Sequence, residues 1–399
     1  MAQQHPSDDF ARQREKLLRL LAATTFLIFF QAYMVAPMIP KLSAVFGVSP
    51  RVIGLLVPAY LIPYGVSTLF YSLLSDWIGR RRIMFASLFA FVLLTGLTAT
   101  ARSVSQLVVW RLATGLGASG VVPLALALIG VMFPYEERGR PLGWLFGAMA
   151  GGMAFGSTLG VLLEPVIGWR GVFLAVSGLG LMALLLLKPF VGLLGDAVRQ
   201  RPRGLAEIFR GYRVLSSGKG RWTYTYVLAN AIFHSGVFTW LGLYFERRYG
   251  LGEFGIGLAL LGYGVPGFLL GPVIGRAADR WGRKWLIPIG AAIAAISVAL
   301  LIPPLPLTLA AVAVTTLSLG YDMTQPLLAG IVTSLSNERA GQAMGLNVFA
   351  LFTGFGLGSM LFGELLRMGF PMSLAVFSGF QFILALGALS RFESEGSAT

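Results

Sequence analysis

Uncharged, largely apolar stretches of about twenty residues follow one another along almost the whole of this chain, and they leave few folds open to it. The first is "LLAATTFLIFFQAYMVAPMIP", residues 20 to 40, and such runs recur as far as "MGFPMSLAVFSGFQFILALGALS", residues 368 to 390. A helix rises 1.5 Å per residue, so about twenty such residues cross the roughly 30 Å hydrocarbon core of a bilayer. The runs are continuous rather than alternating with polar residues, which favours helices over barrel strands. Charged residues make up only 12% of the 399, about half the quarter usual for soluble proteins. The fold class expected is an all-α polytopic membrane protein.

Twelve spans are predicted, at 18–40, 52–75, 83–101, 105–132, 142–166, 171–192, 222–245, 254–275, 285–303, 307–334, 344–366 and 371–390. The N-terminus is too long, polar and mixed in charge for a cleaved signal peptide, so the first span is read as retained. Segment 193–221 is the long break, polar and basic, with six spans on each side. Sliding the sequence on itself by 203 residues superposes Gly54 on Gly257, Tyr60 on Tyr263, and Pro63 on Pro266. The same offset brings Asp76 onto Asp279, Gly79 onto Gly282, Arg80 onto Arg283, and Pro123 onto Pro326. Two parallel six-helix repeats are therefore expected, at 1–192 and 222–399 with 193–221 as a linker, a layout of secondary transporters.

Of the 31 lysines and arginines, 23 fall in the segments that share a side with the N-terminus, 7 on the other side, and Arg111 within a span. By the positive-inside rule both termini and 193–221 face the cytoplasm. Residues Leu205 to Leu215 could form a short helix at an anionic leaflet. The formal charge of +14 lies in short gaps between apolar runs, without the aromatic-interleaved patch that reads bases, so no nucleic-acid partner is expected. There is no cysteine, hence no disulfide framework or thiolate metal site. Neither a cofactor nor a bound metal is expected. A phosphate-binding glycine loop and a nucleophile elbow are both missing, which argues against an enzyme or an ATP-driven pump.

"SLLSDWIGRRRI", residues 72 to 83, resembles the signature between helices 2 and 3 of the major facilitator superfamily, with Leu74, Asp76, Gly79, Arg80 and Arg81 fitting. Its second copy keeps Gly275, Asp279, Arg280, Gly282, Arg283 and Lys284. "RLATGLGASG" in span 4 is similar to a further motif through Arg111, Gly115, Gly117 and Ala118. "GGMAFGSTLGV" in span 5 resembles the family's antiporter motif through Gly152, Gly156 and Gly160, but Ser157 stands where the motif has proline. "MVAPMIPKL" and "GWRGVF" point to the drug:proton antiporter branch. The resemblance implies a twelve-helix fold of two pseudo-symmetric bundles and a cytoplasmic latch built from Asp76, Gly79, Arg80, Arg81, Asp279, Gly282 and Arg283. Asp76 would then meet the positive start of span 11, near Ala340 to Gly345. An ion pair with Arg80 or Arg81 is the simpler alternative.

Ionisable groups deep in the apolar spans are few. Asp322 falls near the middle of span 10, where an acid is costly and usually marks a proton or substrate path. His234 is central in span 7, with Asn230 a turn away. These two, Asp322 and His234, are the candidates for proton coupling, although a buried histidine is often a hydrogen-bonded core residue. Asp322 could instead pair with Arg111 or bond Tyr321. Arg111 could snorkel to the surface or face a cavity. The resemblance implies a central cavity lined by spans 1, 4, 7 and 10, which hold Gln31, Arg111, Asn230 and Gln325, with Tyr60 and Tyr263 added from spans 2 and 8. Glu164 and Glu364, near span ends, are expected to reach water.

The leading expectation is a proton-coupled exporter of small amphiphilic compounds, working by alternating access as a monomer in a bacterial inner membrane. A transporter of a specific metabolite, such as a sugar or organic acid, is the alternative. A non-transporting sensor or scaffold has no need of the charge knots or of Asp322.

Overall fold

The computed structural model describes residues 6–133, 139–194, 210–213, 215, 218–335 and 340–392. Within those ranges a few side chains, Asp76 and Asp279 among them, are outside the description. The described residues are mostly helical, with no strand among them.

Ten segments are long and apolar enough to cross a bilayer. One of them, Arg140–Phe190, turns at Gly168 (φ 70°, ψ 159°) and so supplies two spans. Another span is assembled from Glu253–Leu260 and Val265–Trp281, too broken to count as one apolar helix. The twelve spans are built on α1 (Pro6–Tyr33), α2 (Leu56–Ile78), α3 (Arg80–Ala99), α4 (Val104–Ala118), α5 (139–167) and α6 (169–187). They continue with α7 (Gly218–Tyr249), α8 (Val265–Trp281), α9 (Arg283–Leu300), α10 (Leu307–Asp322), α11 (Ala340–Leu365) and α12 (Phe370–Arg391).

Packing repeats with the sequence. α1 lies on α5 as α7 lies on α11, α2 on α4 as α8 on α10, and α3 on α6 as α9 on α12. Across the two halves, α2 meets α11 and α5 meets α8. This is the pair of pseudo-symmetric six-helix bundles that the repeat foretold. Gly79 (φ 102°, ψ 134°) and Gly282 (φ 80°, ψ 152°) make matching turns after α2 and α8, with φ in the region where a side chain is strained.

Glycines on α5 let it approach α1 closely. A Cβ at Gly152 or Gly156 would come within 2.5 or 2.6 Å of the carbonyl oxygens of Phe26 and Phe30, and one at Gly160 would strike Met34. On α11, Gly354 and Gly358 press on the backbone of α7 in the same manner. The glycine row of the span 5 motif thus knits helices of one half. The seam between halves uses another part of α5, where Ala154 meets Gly264 and Leu162 meets Gly257.

Three helix breaks prepare the polar interior. α1 stops at Tyr33 because Pro37 lacks the N–H that the Tyr33 carbonyl would accept, and the chain resumes as Ile39–Phe46. α4 stops at Ala118 and resumes as Val121–Met132 with Pro123 in its first turn; α10 stops at Asp322 and resumes as Gln325–Ser334 with Pro326 in its first turn. Proline is tolerated in a first turn, so both breaks fall just before it.

Most of the linker expected at 193–221 lies outside the described residues, as do Leu205 to Phe209 of the short helix expected from Leu205 to Leu215; residues 210–213 and 215 are helical.

Candidate functional site

Asp322 ends the first piece of α10 and faces the start of α8, which follows its own break at 261–264. Gly264 is the left-handed residue before α8 (φ 83°). The Val265 N–H turns back to the Gly262 carbonyl at 3.3 Å, and the Gly267 N–H lies in the first turn, where a helix offers its own donors no acceptor. The Gly267 N–H donates to the Asp322 carboxylate, and the Gly264 N–H donates to Ser318 Oγ at 2.9 Å. Ser318 Oγ in turn donates to Asp322 Oδ2 at 3.3 Å. A Cβ on Gly267 would lie 2.6 Å from Oδ1 of Asp322, so the approach requires glycine there. A carboxylate at a helix N-terminus is favourably placed against the helix dipole. Among the described residues no arginine or lysine pairs with it.

His234, fully buried on α7, shares a hydrogen bond between Nε2 and the hydroxyl of Tyr263. Its ring stacks on Tyr321 with centroids 3.7 Å apart. His234, Tyr263, Tyr321, Ser318 and Asp322 line a cavity of about 20 Å³, closed on its far side by Ala150, Met153 and Ala154 of α5. The two proton-coupling candidates therefore share one small chamber across the seam between halves. Phe238, Phe355 and Tyr33 continue its aromatic wall, Tyr33 lying 5.9 Å from Phe238 and 6.0 Å from Phe355. At 20 Å³ the chamber is closed around water-sized space, far below the roughly 300–1,000 Å³ of ligand sites.

Asn230 belongs to a neighbouring network. Its Nδ2 donates to Thr324 Oγ1 at 2.9 Å and to Gln325 Oε1 at 3.4 Å, and its Oδ1 accepts from Gln381 Nε2 at 3.0 Å. Thr324 stands in the α10 break and Gln381 on α12.

In the first half, Arg111 is fully buried and does not snorkel. Nε donates to Leu56 O at 3.2 Å, Nη1 to Gln31 O at 3.1 Å and Nη2 to Ala32 O at 3.2 Å. The last two carbonyls belong to the end of α1, where the helix break withdraws their usual donors. Tyr60 covers the guanidinium, its ring centre 4.4 Å from the cation. Arg111 thus bonds α1, α2 and α4 together and is not paired with Asp322. Tyr60 stacks on Tyr64, which stacks on Phe352 of α11 at 4.4 Å. The side-chain amide of Gln31 and the hydroxyls of Tyr33, Tyr60 and Tyr64 are buried without hydrogen-bond partners among the described residues.

The sequence profile of the Major Facilitator Superfamily matches residues 21–359 and again 246–398. This chain belongs to that superfamily. An uncharacterised transporter of the superfamily from Bacillus subtilis (strain 168), YceJ, is 26% identical over 382 residues, covering 94% of this chain and 95% of the relative. Multidrug resistance protein Stp of Mycobacterium tuberculosis (strain CDC 1551 / Oshkosh) is 32% identical over 43% of this chain and 33% of its own length. A probable L-galactonate transporter of Escherichia coli (strain K12) is 26% identical over 44% of this chain and 40% of its own. Among solved structures, a D-xylose-proton symporter superposes with a TM-score of 0.76 at 17% identity, over 93% of this chain and 96% of the symporter. The protein is a multi-pass membrane transporter of the major facilitator superfamily.

The superfamily's charge knots sit at the end of the bundle that also holds the described termini of α1 and α12. Gly79 and Gly282 make their turns there, and the Arg283 guanidinium lies against Gly330 of span 10. Arg80 and Arg81 start α3. The side chains of Asp76 and Asp279 lie outside the description.

At the opposite end the transporter is tied across its halves. Lys41 Nζ lies 3.1 Å from Glu253 and 3.5 Å from Glu164, and Arg51 Nη2 lies 2.6 Å from Glu364. Glu364 is 55% exposed, as expected, but Glu164 is only 4% exposed, contrary to expectation. Lys41 reaches back over it and takes the place of water. Sequence reasoning passed over Ser318, Gly264, Gly267, Thr324 and Gln381. Ser318, one turn before Asp322 on the same helix, carried a signal; the others became neighbours only through packing.

Proposed function

We propose that this protein is a secondary transporter working by alternating access, in which proton exchange at Asp322 drives export of small amphiphilic compounds. The observation that carries this reading is the setting of Asp322. The carboxylate is lodged between two helix breaks, without a cationic partner among the described residues, against the seam where the halves must part. Two N–H and O–H donors suit its charged form, and opening the seam would admit water and a substrate group to compete for it. His234, hydrogen-bonded to Tyr263 and stacked on Tyr321, lines the same chamber and offers a relay. The aromatic wall suits an amphiphile, and the partial likeness to a multidrug resistance protein supports export.

In this reading 1–192 and 222–399 rock against each other with 193–221 as the linker. Asp76 and Asp279, with the turns at Gly79 and Gly282, latch one end. Both termini face the cytoplasm of a bacterial inner membrane, and the working unit is a monomer. A second reading is transport of a specific metabolite, such as a sugar or organic acid. The Asn230–Thr324–Gln325–Gln381 network favours it, since amides and hydroxyls in register recognise hydroxylated compounds, and one relative is a probable L-galactonate transporter.

Substrate-induced proton release from detergent-solubilised protein tests the coupling, with a panel of amphiphilic cations set against sugars and sugar acids. Release on adding an amphiphile, absent in Asp322→Asn, is expected. Release undiminished in that variant removes Asp322 from the mechanism, and release with sugar acids alone favours the second reading.

A further inference from the structure

A groove of about 830 Å³ runs along the outside of the first half between α1, α5 and α6. It shares no residue with the chamber of Asp322, and its volume lies within the roughly 300–1,000 Å³ of ligand sites. Phe26 and Leu27 of α1 form one wall and Leu179, Met182 and Leu186 of α6 the other. The floor is Gly143, Gly147 and Gly151 of α5.

These glycines differ from the row that packs on α1. A Cβ at Gly143 or Gly147 would meet nothing within 4 Å. Close helix contact therefore does not call for glycine at those two positions, and glycine weakens a helix interior. What their missing side chains do is keep the groove open.

The groove opens on the apolar belt, where Phe155, Met182 and Leu186 are each about half exposed, so an acyl chain is the chemistry that fits it. Arg19, Arg140 and Trp144 stand at its polar end. Arg140 is ion-paired with Glu15. Arg19 is exposed and forms no ion pair among the described residues. Arg19, Arg140 and Glu15 together leave one net positive charge at the groove, while Arg14, also close to Glu15, is held on the Met132 carbonyl and the Phe133 ring. An anionic headgroup complements that charge and a zwitterionic one does not. Basic pockets between membrane helices bind anionic headgroups by this balance, and tryptophan favours the same interfacial level.

We propose that this groove binds an anionic glycerophospholipid, with its headgroup on Arg19 and Arg140 and an acyl chain along the floor of Gly143, Gly147 and Gly151. The lipid holds α1, α5 and α6 at a fixed spacing. α5 also supplies Ala150, Met153 and Ala154 to the Asp322 chamber, so an occupied groove steadies that wall.

Trp144 is a built-in reporter. The full-length protein is placed in nanodiscs containing brominated phosphatidylglycerol or brominated phosphatidylcholine, and the Trp144 signal is taken as the difference between wild type and Trp144→Phe. The anionic lipid should quench Trp144 at about fivefold lower mole fraction, the worth of one net charge near a membrane surface. Arg19→Gln should abolish that preference, and Gly147→Leu, which fills the groove, should reduce quenching by both lipids. Equal quenching by the two lipids in wild type would mean an annular surface without a site and overturns the proposal. Quenching undiminished in a folded Gly147→Leu protein does the same. Displacement of the brominated lipid by a transported amphiphile would give the groove to the substrate path and also overturns it. Arg19→Gln changes only an exposed side chain, so the test stands even where Gly147→Leu fails to fold.

Discussion

Lys41 Nζ lies 3.1 Å from Glu253 Oε1 and thereby ties the helical segment Ile39–Phe46, which continues span 1, to the start of span 8, across the two halves. The same ammonium lies 3.5 Å from Glu164, whose carboxylate is otherwise buried. One lysine thus holds two acids from opposite halves at the end away from the charge knots.

Removing this tie should shift the balance of conformations without unfolding the protein. A partly exposed ion pair contributes about 0.2–1 kcal/mol, enough to move two nearly balanced states. Lys41→Gln and Glu253→Gln are each expected to raise labelling of cysteines placed beside Asn230 or Gln381 from that end of the bundle. The native chain has no cysteine, which leaves the background clean. Raising the salt concentration should mimic the single variants. Unchanged accessibility in both would show that the closure rests on the Arg51–Glu364 pair and the aromatic contacts instead.

Gly267→Ala should disable Asp322 without touching its charge. The added methyl would lie 2.6 Å from Oδ1 of the carboxylate, which must then leave the α8 N-terminus. The expected outcome is a folded protein whose substrate-induced proton release is reduced about as far as in Asp322→Asn. Wild-type release in Gly267→Ala would mean that the helix-end contact has no part in coupling.

Arg111→Met should be a stability defect more than a transport defect. Its loss strands the carbonyls of Gln31 and Ala32 in a buried site, and each unpaired buried group costs about 1–3 kcal/mol. A marked fall in the thermal midpoint in detergent is expected. Arg111→Lys should recover only part of it, because one ammonium cannot match the three-way fork. A normal midpoint with lost transport would recast Arg111 as a substrate ligand.

The two glycine rows on α5 should respond differently to enlargement. Gly156→Val would push a side chain into the Phe30 carbonyl and separate α1 from α5. It should abolish accumulation of folded protein in the membrane. Gly147→Val meets open space and should accumulate normally. Equal accumulation of the two would contradict the packing described between α1 and α5.

The sequence by itself determined the twelve spans, their doubling and the turns between them, because these follow from local facts. Apolar length sets a span, Pro123 and Pro326 set matching breaks, and Gly79 and Gly282 supply a backbone angle that other residues reach only with strain. It also singled out Asp322 and His234, since a titratable side chain in an apolar run stands out without knowledge of its neighbours. Tertiary structure alone decided what those residues touch. Arg111 and Asp322 were the two plain charges of the interior, and one-dimensional reasoning left open that they pair. Packing instead gave Arg111 the broken end of α1 and gave Asp322 the broken start of α8. Glu164 likewise lies near the end of a span, where water would be the default partner, yet Lys41 covers it. Partners of this kind come from segments far apart in the chain, and no local pattern encodes which of several polar groups a buried charge will meet once the helices have packed.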